Sequence, residues 1–299
     1  MKNENIPLSL FFSANISLTI KREDLLHPEI SGNKYRKLKY NLIKAKKTGI
    51  DTLLTFGGAY SNHIAATAYA GKLYGFKTIG VIRGEELIDK IESNPTLSFA
   101  KKCGMEFYFI SRALFRDKES ESFLNSLKEK FGDIYILPEG GTNDLAIEGC
   151  KEIITENEKE FDYLCTAVGT GGTISGIIEA SYVHQKVIGF SALKGTFQEK
   201  LIEKYSTKRN FKITDDYCFG AYAKIDLELI RFINEFKEKT GIPLDPIYTG
   251  KMMFGIFDLI KKGYFKENSS ILAIHTGGLQ GITGMNQLLK NKNLPQINT

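Results

Sequence analysis

The chain has 299 residues, 42% of them hydrophobic and 25% charged, a globular composition that excludes disordered, collagen-like and coiled-coil architectures. At roughly twice the usual domain size it can bury a large core, as one fused unit or as two domains. Its net charge of +5 comes from 40 basic and 35 acidic side chains. These are interspersed in stretches such as FKEKTG and NEKEFD, a pattern of solvated helix faces rather than of a nucleic-acid surface.

No segment approaches the roughly 18 consecutive apolar residues of a membrane span. The amino terminus, MKNENIPLSLFF, carries one Lys and a short apolar run followed by Ser13 and Asn15, which argues against a secretory signal and for the cytoplasm. Four cysteines, Cys103, Cys150, Cys165 and Cys218, form no Cys-x-x-Cys pair and have no His-x-x-x-His partner. We therefore expect buried thiols, with neither a metal site nor a disulfide framework.

After an N-terminal arm, short β-rich runs alternate with helix-length segments, the pattern of a parallel sheet covered by helices. The predicted strands are 51–57, 77–82, 106–110, 134–138, 163–169, 186–190 and 270–275. Ile225, Leu229, Phe232, Ile233 and Phe236 share one face of a predicted helix, with Gly241 and Pro243 just beyond its end. Several strands run into glycine-rich or hydroxyl-rich turns: FGGAYSN, PEGGTND, AVGTGGT and HTGG. In open α/β sheets the carboxyl edge is where ligands bind. No repeat or low-complexity linker is present, so two domains would be joined without a flexible tether.

Three segments carry candidate chemistry. AVGTGGTISGI (167–177) reads as strand, glycine-rich turn and helix, a geometry that aims backbone N–H groups at an anion. Its Gly169, Gly171, Gly172 and Gly176 match neither the dinucleotide fingerprint nor a Walker loop, and a purely structural β–α turn would use the same glycines. In SGNKYRKL, Lys34 follows Ser-Gly-Asn at a helix start near Arg36 and Lys37. Partial desolvation and neighbouring cations would lower its pKa and make it nucleophilic, although on spacing alone a solvated surface lysine is the better fit and only the combination of features reverses that. In GGAYSNH, Ser61, Asn62 and His63 stand at a strand-to-helix junction, suited to a substrate carboxylate or simply to capping. A lysine able to form a Schiff base, a separate phosphate cup and no metal ligands together suit pyridoxal 5'-phosphate. Two further junctions, DPIYTGK with Tyr248 and LAIHTGG with Thr276, offer a phenol and a hydroxyl.

In their order KRED, SGNKYRKL, GGAYSNH, the Gly/Thr loop, FGAYAK, DPIYTGK and HTGG, spanning Lys21 to Gly281, resemble the pyridoxal-phosphate enzymes of the tryptophan synthase β-type fold. The resemblance is to their 1-aminocyclopropane-1-carboxylate (ACC) deaminase and D-cysteine desulfhydrase group. It implies two open, twisted, mostly parallel sheets covered by helices. A large domain would use residues 1–37 and 148–299, and a small mobile domain residues 38–147. Lys34 matches the lysine that holds the cofactor covalently and moves protons. Ser61 and Asn62 match the pair near the substrate carboxylate and the ring hydroxyl, with His63 beside them. Gly169, Thr170, Gly171, Gly172 and Thr173, with Lys37, match the phosphate binders, and Tyr222 and Tyr248 match two active-site tyrosines. The deaminases carry Glu at the position of Thr249 and Leu at that of Thr276, whereas the desulfhydrases carry threonine at both. The resemblance thus implies a lyase on a small D-amino acid, D-cysteine foremost, with an ACC deaminase or a non-catalytic binder on the same fold as alternatives. It further implies a homodimer, with no nucleic-acid or membrane partner.

Overall fold

The structure, a computed structural model, describes residues 2–298. The strands are β1 (Asn3–Ile6), β2 (Ser17–Lys21), β3 (Thr52–Gly57), β4 (Lys77–Arg83), β5 (Met105–Ile110), β6 (Tyr135–Leu137), β7 (Tyr163–Val168), β8 (Lys186–Ser191), β9 (Phe211–Thr214) and β10 (Ser270–Ile274). The helices are α1 (Asn33–Lys47), α2 (Asn62–Tyr74), α3 (Pro95–Lys102), α4 (Arg112–Arg116), α5 (Glu121–Phe131), α6 (Asp144–Lys151), α7 (Gly172–Ala180), α8 (Gln198–Tyr205), α9 (Leu227–Thr240), α10 (Thr249–Lys261) and α11 (Gly281–Asn291).

These strands form two sheets. One has six strands in the order β1-β2-β10-β7-β8-β9, and the other four in the order β5-β4-β3-β6. Every pairing is parallel except β1 with β2. The six-stranded sheet takes strands from both ends of the chain, and the four-stranded sheet lies wholly between Thr52 and Leu137. All seven predicted strands are present. β1, β2 and β9 are additional, and the supposed N-terminal arm supplies two of them. β7 is buried at all six positions, as expected of a central parallel strand covered on both faces. By contrast β1 and β9 are short edge strands with only part of their length buried, which leaves little apolar pattern to read.

One face of the large sheet packs on α9, α10 and α11 through Ile188, Phe190, Ile233, Phe236, Met253 and Ile256. The other face packs on α6 and α7 through Leu164, Cys150, Ile174 and Ile177. Helix α9 begins two residues later than its apolar stripe suggests, because Asp226 caps it by accepting from the Leu229 N–H at 2.8 Å. Ile225 therefore precedes the helix but still packs on the same core. Three of the four free cysteines are buried and Cys103 is half-buried. None of the helices in the described residues is long and apolar enough to cross a membrane.

The two sheets present their carboxyl edges to one cavity. Gly58 to His63 follow β3, Arg83 ends β4, Glu139 and Gly140 follow β6, Gly169 to Thr173 follow β7, and Thr276 to Gly278 follow β10.

Candidate active site

The cavity has a volume of about 580 Å³, ample for a cofactor and a small substrate. Lys34 is placed by a close meeting of two loops. Gly32 has φ +59°, and a Cβ there would stand 2.0 Å from the Thr276 carbonyl oxygen, so only glycine fits. The Asn33 N–H donates to that carbonyl at 3.2 Å, and the Asn33 amide donates to Thr173 Oγ1 at 2.8 Å. The first turn of α1 is thereby tied to the loops after β10 and β7. Lys34 Nζ then donates to the Gly140 carbonyl at 3.1 Å. Burial, and next the Lys37 ammonium, hold the Lys34 amine well below the usual lysine range. Arg36, expected beside it as a third cation, turns away instead: its guanidinium is paired with Glu23 at 2.9 Å and Glu152 at 3.0 Å. A two-residue step on a helix puts the side chain on the opposite face, so only Lys37, three residues and about one turn on, is a neighbour.

The anion cradle lies at the start of α7. Gly171 has φ +92°, and at Gly172 a Cβ would collide with the Thr142 side chain at 2.7 Å and stand 3.1 Å from Lys37 Nζ. The first N–H groups of a helix have no acceptor within it, and here they open onto the cavity. Lys37 is buried and donates to the Gly140 carbonyl (3.0 Å), Thr142 Oγ1 (2.9 Å) and Thr170 Oγ1 (3.4 Å). Burial lowers its amine to about 8. Gly169, Thr170, Gly171 and Thr173 line the cavity, with Gly172 packed just behind them.

Across the cavity, Ser61 caps α2 by accepting from the Ile64 N–H at 3.3 Å. Asn62 lies against Gly278, where a Cβ would stand 3.0 Å from its amide nitrogen. His63 is buried against Gly141, with neither ring nitrogen bonded. Burial, followed by Lys34 and Lys37, holds it neutral. An orphaned imidazole, an N–H cradle and a depressed lysine amine, all on one cavity, fit a phosphate-bearing aldehyde.

Tyr248 immediately precedes α10 and is set by a turn built on buried Asp245. That carboxylate accepts from the N–H groups of Ile247 (2.8 Å), Tyr248 (2.9 Å) and Thr249 (2.7 Å). The Tyr248 phenol donates to the Tyr222 hydroxyl at 3.3 Å. Desolvation holds both phenols protonated, Tyr248 well above the usual tyrosine range. Thr249 requires a correction. It is fully buried and does not line the cavity, because its hydroxyl is spent on Asp245, accepting from the N–H at 2.9 Å and donating to the carboxylate at 2.8 Å. Of the two threonines that set this sequence apart from the deaminases, only Thr276 lines the cavity. Lys34, Lys37, Ser61, Asn62, His63, Gly169 to Gly171, Thr173, Tyr222, Tyr248 and Thr276 come together.

Sequence reasoning missed Asn33, Tyr60, Arg83 and Glu139, which also line the cavity, and Asp245 behind it. Their signals were local. Arg83 ends a strand of the parallel sheet, and Glu139 lies in the PEGGTND turn already placed at the carboxyl edge.

The family described as pyridoxal-phosphate dependent enzymes matches residues 4–277. The chain belongs to this family. Its cofactor is pyridoxal phosphate, and it is an enzyme of the ACC deaminase and D-cysteine desulfhydrase type. A chain from Pyrococcus abyssi, provisionally named a 1-aminocyclopropane-1-carboxylate deaminase, is 35% identical over 290 residues, covering 89% of this chain and 86% of its own. The Arabidopsis thaliana mitochondrial bifunctional D-cysteine desulfhydrase/1-aminocyclopropane-1-carboxylate deaminase is 32% identical over 294 residues, covering 89% and 73%. A crystal structure described as an ACC deaminase homologue superposes with a TM-score of 0.83 at 28% identity, covering 97% and 93%. The O-acetylserine dependent cystathionine β-synthase of Helicobacter pylori shares the fold at a TM-score of 0.65 and 16% identity, covering 94% of each chain.

Proposed function

We propose that the enzyme eliminates the β-substituent of a small D-amino acid, D-cysteine foremost, converting D-cysteine and water to pyruvate, ammonia and hydrogen sulfide. The observation that carries this reading is the absence, among the described cavity-lining residues, of a free carboxylate. Glu139, which lines the cavity, is paired with Lys118 at 3.1 Å. Asp245, behind Gly278, is consumed by backbone N–H groups. What the loop after β10 offers is the Thr276 hydroxyl.

Bound pyridoxal phosphate supplies an electron sink for the pair left when an α-proton departs, and the sink is deeper when the ring nitrogen carries a proton. A hydroxyl at Thr276 can hydrogen-bond that nitrogen without charging it. The reaction then depends on a good leaving group, which thiolate is and a cyclopropane carbon is not. Lys34 Nζ, its hold on a proton weakened by burial and Lys37, takes the α-proton. The loop of Gly169 to Thr173, with Lys37, holds the phosphate. Ser61, Asn62 and the start of α2 hold the substrate carboxylate, with neutral His63 alongside. Tyr248, through a phenol that keeps its proton, hands it to the departing sulfur, and Tyr222 supports it.

The same reading assigns residues 38–147, which contain the four-stranded sheet, as the small domain that closes over the cavity, and residues 1–37 with 148–299 as the large one. ACC deamination is the second reading, favoured by the names of the relatives. The test is an absorption spectrum of the purified protein followed by product assays on D- and L-amino acids and on ACC. A cofactor band with pyruvate released from D-cysteine is expected, and 2-oxobutyrate from ACC as the dominant product would overturn the assignment.

A further inference from the structure

Lys251 is one of the least exposed lysines of the chain, 1% accessible, and the reaction described above makes no use of it. It lies in the first turn of α10, three residues after Tyr248. Its Nζ donates to the Cys218 carbonyl at 2.7 Å and the Ala221 carbonyl at 3.2 Å, and stands 6.0 Å from the centre of the Phe219 ring. The loop so held is the one that carries Tyr222.

That loop has few bonds of its own. Its backbone makes two short-range bonds, from the Cys218 N–H to the Asp215 carbonyl at 3.0 Å and from the Lys224 N–H to the Ala221 carbonyl at 3.2 Å. Phe219 and Ala223 sit at φ +55° and +58°, a region that side-chain-bearing residues adopt only when their surroundings impose it. The imposition comes from one face of α10. Lys251 takes the two carbonyls, Phe254 meets Phe219 edge-on at 5.2 Å, Gly255 leaves room for Tyr217, and Asp258 accepts from the Tyr217 phenol at 2.7 Å. Positions 251, 254, 255 and 258 follow the helical period. Helix α10 thus presents Tyr248 at its start and grips the Tyr222 loop along its side.

We propose that Lys251 is a positioning residue whose ammonium, bound to the carbonyls of Cys218 and Ala221, delivers the Tyr222 phenol to Tyr248. The inference rests on the reading of Tyr222 and Tyr248 as the proton-handling pair. Burial lowers the Lys251 amine to about 8, offset in part by the Cys218 thiol and the Asp245 carboxylate. A buried amine is retained where its donors have work that an apolar side chain of the same length cannot do.

The experiment is a double-mutant cycle on the holoenzyme with Lys251→Met and Tyr222→Phe, reading kcat and KM for D-cysteine together with cofactor affinity. Lys251→Met should lower kcat about ten-fold while cofactor affinity stays within about two-fold, the loss expected of a misplaced proton-handling group. In the Tyr222→Phe background the same substitution should cost nothing further. Multiplying losses, an unchanged kcat, or a parallel fall in cofactor affinity would each overturn the proposal. Should Lys251→Met fail to fold, Lys251→Gln, which keeps one donor for the carbonyls, is taken through the same cycle and must show a smaller but equally non-additive loss. A full effect of Tyr222→Phe beside an inert Lys251 variant removes the positioning role alone. An inert Tyr222→Phe removes the role of Tyr222 and the inference with it.

Discussion

Lys34 and Lys37 donate to the same acceptor, the Gly140 carbonyl, at 3.1 and 3.0 Å. Two amines converging on one oxygen cannot both be ammonium at ordinary cost. Lys37 has three oxygen partners and sits beside the anion cradle, and burial with the Lys37 charge holds the Lys34 amine well below the usual lysine range, so Lys34 is the readier of the two to lose its proton. Lys34→Ala should therefore abolish covalent attachment: after borohydride reduction the variant should lose the chromophore on denaturing gel filtration. A chromophore still attached would move the attachment to another lysine.

The phosphate cradle depends on backbone shape. Left-handed backbone costs a side-chain-bearing residue about 1–2 kcal/mol, and at Gly171 an added Cβ would stand 2.9 Å from Leu201 Cδ2. Gly171→Val should weaken pyridoxal phosphate binding about ten-fold or more, with far-ultraviolet circular dichroism unchanged. Full affinity in that variant would place the phosphate elsewhere.

Anion binding should carry a pH signature. Because burial has lowered Lys37 to about 8, the protein alone loses that proton above pH 8, while a bound phosphate favours the ammonium. Binding above pH 8 must then take up a proton, and affinity must fall as pH rises through that value. Calorimetric titration of inorganic phosphate in two buffers of different ionisation enthalpy measures the uptake. We expect uptake of up to about one proton at pH 9, little at pH 7 and none in Lys37→Met; uptake persisting in the variant would assign the proton to another group.

Most of the site was legible because it is sequential. Ser61, Asn62 and His63 follow one strand and open one helix, and Gly169 to Thr173 do the same on the other sheet, so motif and geometry coincide. Thr249 was misread because adjacency to Tyr248 in DPIYTGK implied a shared direction. In the first turn of a helix the neighbouring side chain points back into the turn, and there Asp245 takes its hydroxyl. Arg36 was misread for the same reason. β1 and β2 were passed over because β1, NENI, is short and mostly polar and β2 is a five-residue run alternating polar and apolar residues, which together resemble an arm until β10 is seen to pair with β2.

The place of Thr249 is itself testable. Thr249→Val leaves the buried Asp245 N–H without its acceptor, at a cost of about 1–3 kcal/mol, so the thermal midpoint should fall while the absorption maximum of the bound cofactor stays put. A shifted maximum at unchanged stability would return Thr249 to the cofactor.

The central claim is that hydroxyls, and no free carboxylate, face the bound cofactor, so that only substrates with a good β-leaving group turn over well. The direct measurement is kcat/KM on D-cysteine, β-chloro-D-alanine and ACC, assayed side by side on one holoenzyme preparation. The account predicts pyruvate from the first two at least about a hundred-fold faster than 2-oxobutyrate from the third, a barrier difference of about 2.7 kcal/mol. Equal or faster turnover of ACC would contradict it, leaving the fold and the cofactor site as described.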